Sequence, residues 1–121
     1  MRKEEEHMLT IDKMKEFGAN TAEGLTRCLN NETFYLRMVN LAVSDKGFEQ
    51  LKEALEAGDL DEGFERAHAL KGVLANVALT NLLEPVSEMT ELLRHRTQTD
   101  YTEYLDRMFA ELGKYRELLG D

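Results

Sequence analysis

From Ile11 to Leu119 apolar side chains return every third or fourth position, and proline, the residue that stops helices, occurs once, at Pro85. A pattern of that period gathers on one side of a helix and leaves the other side polar. No stretch shows the strict alternation of a half-buried strand, and the abundance of Leu, Glu, Lys, Ala and Met suits helices. A chain of 121 residues holds one core and not two. The expectation is an all-α fold, an antiparallel up-down four-helix bundle preceded by a short N-terminal helical element.

The punctuation divides this pattern. Residues 1–8 are charged without an apolar face and read as a disordered tail, leaving 9–121 as the bundle domain. Ile11, Met14 and Phe17 form a first short piece that Gly18 stops; Asn20 or Thr21 opens a second, with Leu25 and Leu29. After Asn30 and Asn31, a long helix carries Phe34, Met38, Leu41, Phe48, Leu51 and Leu55, with a bend expected near Asp45 to Gly47. Asp59 followed by Glu62 has the spacing of a capping box. The helix it opens is expected to run to about Ala78, with a core stripe of Leu60, Ala67, Leu70, Leu74 and Val77. Thr80 or Asn81 starts the next helix, marked by Leu82, Val86, Met89 and Leu93, and Pro85 is tolerable only near its first turn, so the helix begins close to it or is kinked there. Arg94, His95 and Arg96 fall at its end, where cations favour the helix dipole. Asp100 and Glu103 cap a last helix with Tyr101, Tyr104, Leu105, Met108, Leu112, Tyr115 and Leu119 on one face.

Several function classes drop out. With 24 acidic against 15 basic residues the net charge is -9, which repels a phosphate backbone, so nucleic acid is not an expected partner. The lone cysteine, Cys28, permits no internal disulfide and reads as a small core residue, which fits a cytoplasmic protein. No apolar run approaches the roughly 20 residues that cross a bilayer, so no membrane partner is expected. Neither a Walker loop nor a dinucleotide glycine fingerprint is present, and no ATP-dependent kinase activity is expected of the chain itself. Met1 fits a free-standing protein, and one bundle core needs no second subunit, so a monomer is expected.

One stretch carries chemistry: Ala67-His68-Ala69-Leu70-Lys71-Gly72-Val73-Leu74-Ala75-Asn76. At about 100° per residue, His68, Lys71, Gly72 and Ala75 share one helix face, while Ala67, Leu70, Leu74 and Val77 point to the core. A glycine inside a helix costs about 1 kcal/mol relative to alanine, so Gly72 must be gaining something else. One turn beyond the imidazole, it leaves a recess through which another protein can reach His68. A free imidazole, with a pKa of about 6.5, is largely neutral near pH 7 and nucleophilic. An accessible imidazole with a cation at Lys71 is the minimum a phosphohistidine needs, because phosphoryl transfer is mostly positioning and electrostatics.

His68-Ala69-Leu70-Lys71-Gly72, followed by Asn76 and Leu82 and preceded by the turn Glu56-Ala57-Gly58-Asp59-Leu60, resembles the His-x-x-Lys-Gly signature of histidine-containing phosphotransfer domains. The similarity in element order extends from about Leu9 to Leu119. It implies that Nε2 of His68 accepts a phosphoryl group from a receiver-domain aspartyl phosphate and passes it to another receiver's aspartate in a two-component phosphorelay. It also implies that Lys71 steadies the phosphoryl group, that Gly72 gives the receiver room, and that the required Mg²⁺ sits in the receiver. No cofactor or metal ligand is then expected in this chain. Two features depart from the family pattern. Ala78 stands where a glycine is common, and Glu88, Thr90 and Glu91 stand where a glutamine often holds the other imidazole nitrogen.

Other readings use the same residues. Gly72 could instead be a helix-packing glycine. Glu65 and His68 form a Glu-x-x-His pair of the kind that holds metals in helical bundles, but the only other such pair, Glu4 and His7, lies in the tail, and Glu91 with His95 is spaced differently. A helical adaptor that binds response regulators without carrying phosphate is a third reading, with Glu84, Glu88 and Glu91 as its acidic stripe. Asn76 reads as a structural residue near the helix end. His7 and His95 read as surface histidines.

Overall fold

A computed structural model describes residues 8–119. Among them the chain forms helices α1 (Ile11–Phe17), α2 (Thr21–Arg27), α3 (Glu32–Val43), α4 (Gly47–Glu56), α5 (Leu60–Asn76), α6 (Thr80–Arg94) and α7 (Thr102–Glu117), and no strand. The chain is therefore all-α over the described residues. The expected tail lies outside them except for Met8, which is exposed.

Short polar side chains set the helix starts. Thr10, Asn20, Asn31 and Asp59 each accept a hydrogen bond from the backbone N–H three residues on, satisfying a donor that the first turn leaves open. Of the expected capping box only the Asp59 half forms, at 3.1 Å to the Glu62 N–H; the Glu62 carboxylate turns instead to Arg66. Asp100 acts one residue before the N-cap of α7, accepting from the Thr102 N–H at 2.9 Å. Thr102, first through its side chain and then through this N–H, holds the Asp100 carboxyl below its ordinary value.

Two expectations change in detail, and a third is met at the helix start. The long helix over Phe34 to Leu55 is two helices, because Asp45 Oδ1 accepts from the Gly47 N–H at 2.6 Å and starts a turn that the helical ladder cannot pass through. The helix after Asp59 ends at Asn76, two residues before Ala78. The following helix begins at Thr80, as expected, and runs through Pro85, which is buried in its second turn. Missing its N–H there, Pro85 forfeits one ladder bond.

The core is continuous from Met14 to Tyr115. α5 packs against α4 on one side and α6 on the other, and α6 against α7. α7 returns to α4 through Arg116, which bonds the Glu49 carboxylate at 2.6 Å and the Val43 carbonyl at 2.8 Å. Ala67, Leu70 and Leu74 of α5 and Val77 just beyond it are buried as expected, whereas Leu60 is half-buried. Burial of each leucine is worth roughly 1.5–3 kcal/mol. Thr21 and Thr90 are the buried polar residues, and Thr90 donates to the Val86 carbonyl at 2.7 Å. Cys28 is buried, as its size suggested. Among the described residues no helix is long and apolar enough to cross a membrane.

Candidate functional site

The histidine helix, α5, is fixed at both ends. At its start Asp61 and Glu62 complement the helix dipole, and Gly63 lets its neighbours close in: a Cβ there would lie 3.1 Å from Leu55 Cδ2 and 3.3 Å from Leu93 Cδ2. At its end the carbonyls that lack a helical partner are taken up by the N-terminal helices. Arg27 Nη1 donates to the Ala75 carbonyl at 3.0 Å, the Tyr35 hydroxyl to Val77 at 2.8 Å, and the Asn20 N–H to Ala78 at 2.9 Å.

Ala78 itself takes the left-handed conformation, with φ 57°. Its N–H bonds the Ala75 carbonyl and the Leu79 N–H bonds that of Leu74, the paired closure of a Schellman turn. A turn that favours glycine is thus made here by alanine, at a cost of about 1–2 kcal/mol in backbone strain.

Between these anchored ends the second half of the helix presents its polar face. His68 and Gly72 are exposed, and Lys71 and Ala75 are half-buried. His68 and Lys71, at i and i+3, have Cβ atoms about 5–6 Å apart by helix geometry. A Cβ built on Gly72 meets no atom within 4 Å. The packing glycine of this helix is Gly63, then, and among the described residues none packs over Gly72.

The imidazole of His68 lies on the ring of Phe64, one turn earlier, with centroids 5.4 Å apart and planes 22° from parallel. Phe64 in turn carries the guanidinium groups of Arg94 and Arg96 at 5.2 and 4.9 Å from its centroid. Arg96 is held by Asp61 at 2.6 Å and by the Leu93 carbonyl at 2.8 Å, and Arg94 by Glu91 at 3.3 Å. The two arginines thus belong to the surroundings of His68, a placement that their reading as dipole partners missed. The sequence offered a signal for Phe64 alone, which lies four residues before His68 and so on the same face.

The three polar residues of α6 that could have oriented the imidazole are otherwise engaged. Thr90 is turned to Val86, Glu91 to Arg94, and Glu88 to Arg107 at 3.1 and 3.3 Å. Among the described residues none of them bonds the ring. Nor do three His, Cys, Asp or Glu side chains gather anywhere among the described residues to hold a metal, so Glu65 and His68 find no third partner. Glu4 and His7 lie outside the described residues. His95 is exposed and serves as the C-cap of α6, and exposed Asn76 is the last residue of α5.

Comparison of the sequence with curated proteins and with solved structures returned no match. Comparison with family models matched the Hpt domain over residues 40–119, a span that contains α4 to α7 together with His68, Lys71 and Gly72. With most of its length matched, the chain belongs to the Hpt domain family, a family of phosphotransfer in two-component signalling.

Proposed function

We propose that this chain is a phosphorelay intermediate in which His68 takes a phosphoryl group from a receiver-domain aspartyl phosphate and gives it to the aspartate of another receiver. The observation that carries this reading is an exposed imidazole one turn ahead of Gly72, over which no neighbouring side chain packs among the described residues. In the step, the Nε2 lone pair forms the P–N bond as the P–O bond to the aspartyl carboxylate breaks. The carboxylate leaves with that electron pair, and the proton on Nδ1 stays on the ring. Return transfer reverses these bonds at the second receiver.

Lys71 supplies positive charge to the phosphoryl oxygens, and Gly72 admits the receiver surface. Mg²⁺ is contributed by the receiver, whose acidic pocket holds the other side of the reaction; a helix face with one imidazole and one lysine offers it no ligand set. The helices α4 to α7, each packed on the next and closed by the Arg116–Glu49 pair, are read as an up-down antiparallel bundle that keeps this face rigid. The protein acts as a cytoplasmic monomer, since one histidine face suffices for each exchange.

Transfer from a panel of phosphorylated receiver domains with Mg²⁺, followed as loss of phosphate from the receiver, tests the reading. Lys71→Ala should slow transfer or shorten the life of the phosphorylated chain without abolishing acceptance. Equal rates and equal lifetimes would remove Lys71 from the site. Receiver binding without any transfer would leave an adaptor in place of a relay protein.

A further inference from the structure

We infer that Phe64 is the positioning residue of the phosphoacceptor, holding the His68 imidazole by stacking in place of a hydrogen bond to its second nitrogen. The inference rests on His68 being the group that receives phosphate, and adds how its ring is oriented.

The ring needs a support. An exposed side chain with two free torsions samples several rotamers, and in-line attack on phosphorus tolerates little misalignment. The three side chains of α6 considered for that hydrogen bond, Thr90, Glu91 and Glu88, are bonded instead to Val86, Arg94 and Arg107. Phe64 is in place instead, at 5.4 Å and 22°. Stacking suits the chemistry because both nitrogen lone pairs lie in the ring plane. A neighbour on the face restrains rotation while leaving both edges open, one for the phosphoryl group and one for water.

Phe64 is itself fixed. Arg94 and Arg96 lie on its ring, and Arg96 is tied to Asp61 at the start of the same helix and to the Leu93 carbonyl at the end of α6. Rigidity therefore passes from the ends of α5 and α6 through the aromatic ring to the imidazole.

The test compares the full-length chain with Phe64→Leu, which keeps an apolar side chain and removes the ring, and with Phe64→Tyr, which restores it. Proton NMR of the His68 Cε1–H reads the stacking directly: in the parent and in Phe64→Tyr it should be displaced by the ring current, and in Phe64→Leu it should return to the position of a free imidazole. Transfer from a phosphorylated receiver should fall about tenfold in Phe64→Leu and recover in Phe64→Tyr. Phosphorylation by phosphoramidate, a small donor that needs no docked geometry, should proceed equally in all three.

A parent chain whose His68 proton shows no ring-current displacement would overturn the inference without any variant. So would receiver transfer by Phe64→Leu at the parent rate, and His68 would remain the acceptor in both cases. Failure of the parent to accept phosphate from phosphoramidate and receiver alike would instead remove the underlying reading, and this inference with it.

Discussion

The Tyr35 hydroxyl donates a 2.8 Å hydrogen bond to the Val77 carbonyl, joining two residues 42 positions apart at the end of the helix that carries His68. Tyr35 is fully buried, and a Cβ on Gly24 of α2 would fall 2.3 Å from its ring. The N-terminal helices are in this way locked onto the histidine helix.

Tyr35→Phe should therefore lower stability by about 1–2 kcal/mol, since the Val77 carbonyl would lose its donor in a buried place. Urea denaturation measures it. A change under about 0.3 kcal/mol would mean that water replaces the hydroxyl without loss.

The same residue sets an alkaline limit. Burial, with a smaller contribution from Cys28, raises the Tyr35 hydroxyl from 10.0 to about 12. A group whose protonated form is favoured in the fold contributes its full stability below its unfolded value of 10.0 and loses it as pH rises towards about 12. Tyr115, also raised chiefly by burial, acts in the same direction. The melting temperature should fall above pH 10, and less steeply in Tyr35→Phe; parallel curves would exclude Tyr35 as a source.

At the acid end the sign reverses. The hydrogen bond from Arg116 holds the Glu49 carboxyl below its ordinary 4.5, so its contribution is present above that value and is lost as pH falls through the lowered one. Both side chains are partly exposed, which limits the effect to about 1 kcal/mol or less. Glu49→Gln should flatten the acid limb of a pH–stability curve, and an unchanged limb would assign it to other carboxylates.

Ala78 in the left-handed region is a place where a smaller residue gains. Ala78→Gly relieves the strain and adds freedom to the unfolded chain, and the difference should be a net stabilisation of up to about 1 kcal/mol. A loss of stability on thermal denaturation would mean that the methyl group contributes more through packing than the backbone strain costs.

Much of this architecture could be read from residue types. Thr10, Asn20, Asn31 and Asp59 are short acceptors placed just ahead of helical periods, and each became a cap. Ala67, Leu70 and Leu74 repeat at the spacing that buries one face, which left His68, Lys71 and Gly72 on the other. The interruption between α3 and α4 was legible in place, near Asp45 to Gly47, but read as a bend, because one local bond, Asp45 to Gly47, turns it into a full break within an otherwise helical period. α6 starts at Thr80, where the sequence placed the start at Thr80 or Asn81, but Pro85 sits in its second turn rather than at its beginning. The placement of Arg94 and Arg96 on Phe64 depends on the fold bringing the end of α6 beside the start of α5, which no spacing along the chain encodes.

Gly72 separates access from stability. A methyl group at this position would have no atom within 4 Å, so Gly72→Ala should stabilise the helix by up to about 1 kcal/mol. Gly72→Gln should fold as well as the parent yet transfer phosphate at least about tenfold more slowly. Unchanged transfer by Gly72→Gln would show that the receiver does not approach over this position.

The most direct measurement is the intact mass of the chain after exposure to a phosphorylated receiver and Mg²⁺, beside the His68→Gln variant, with and without brief acid treatment. The expected result is the gain of one phosphoryl group that acid removes and that His68→Gln never acquires. A phosphoryl group that survives acid, or that appears equally in His68→Gln, would contradict a relay through His68.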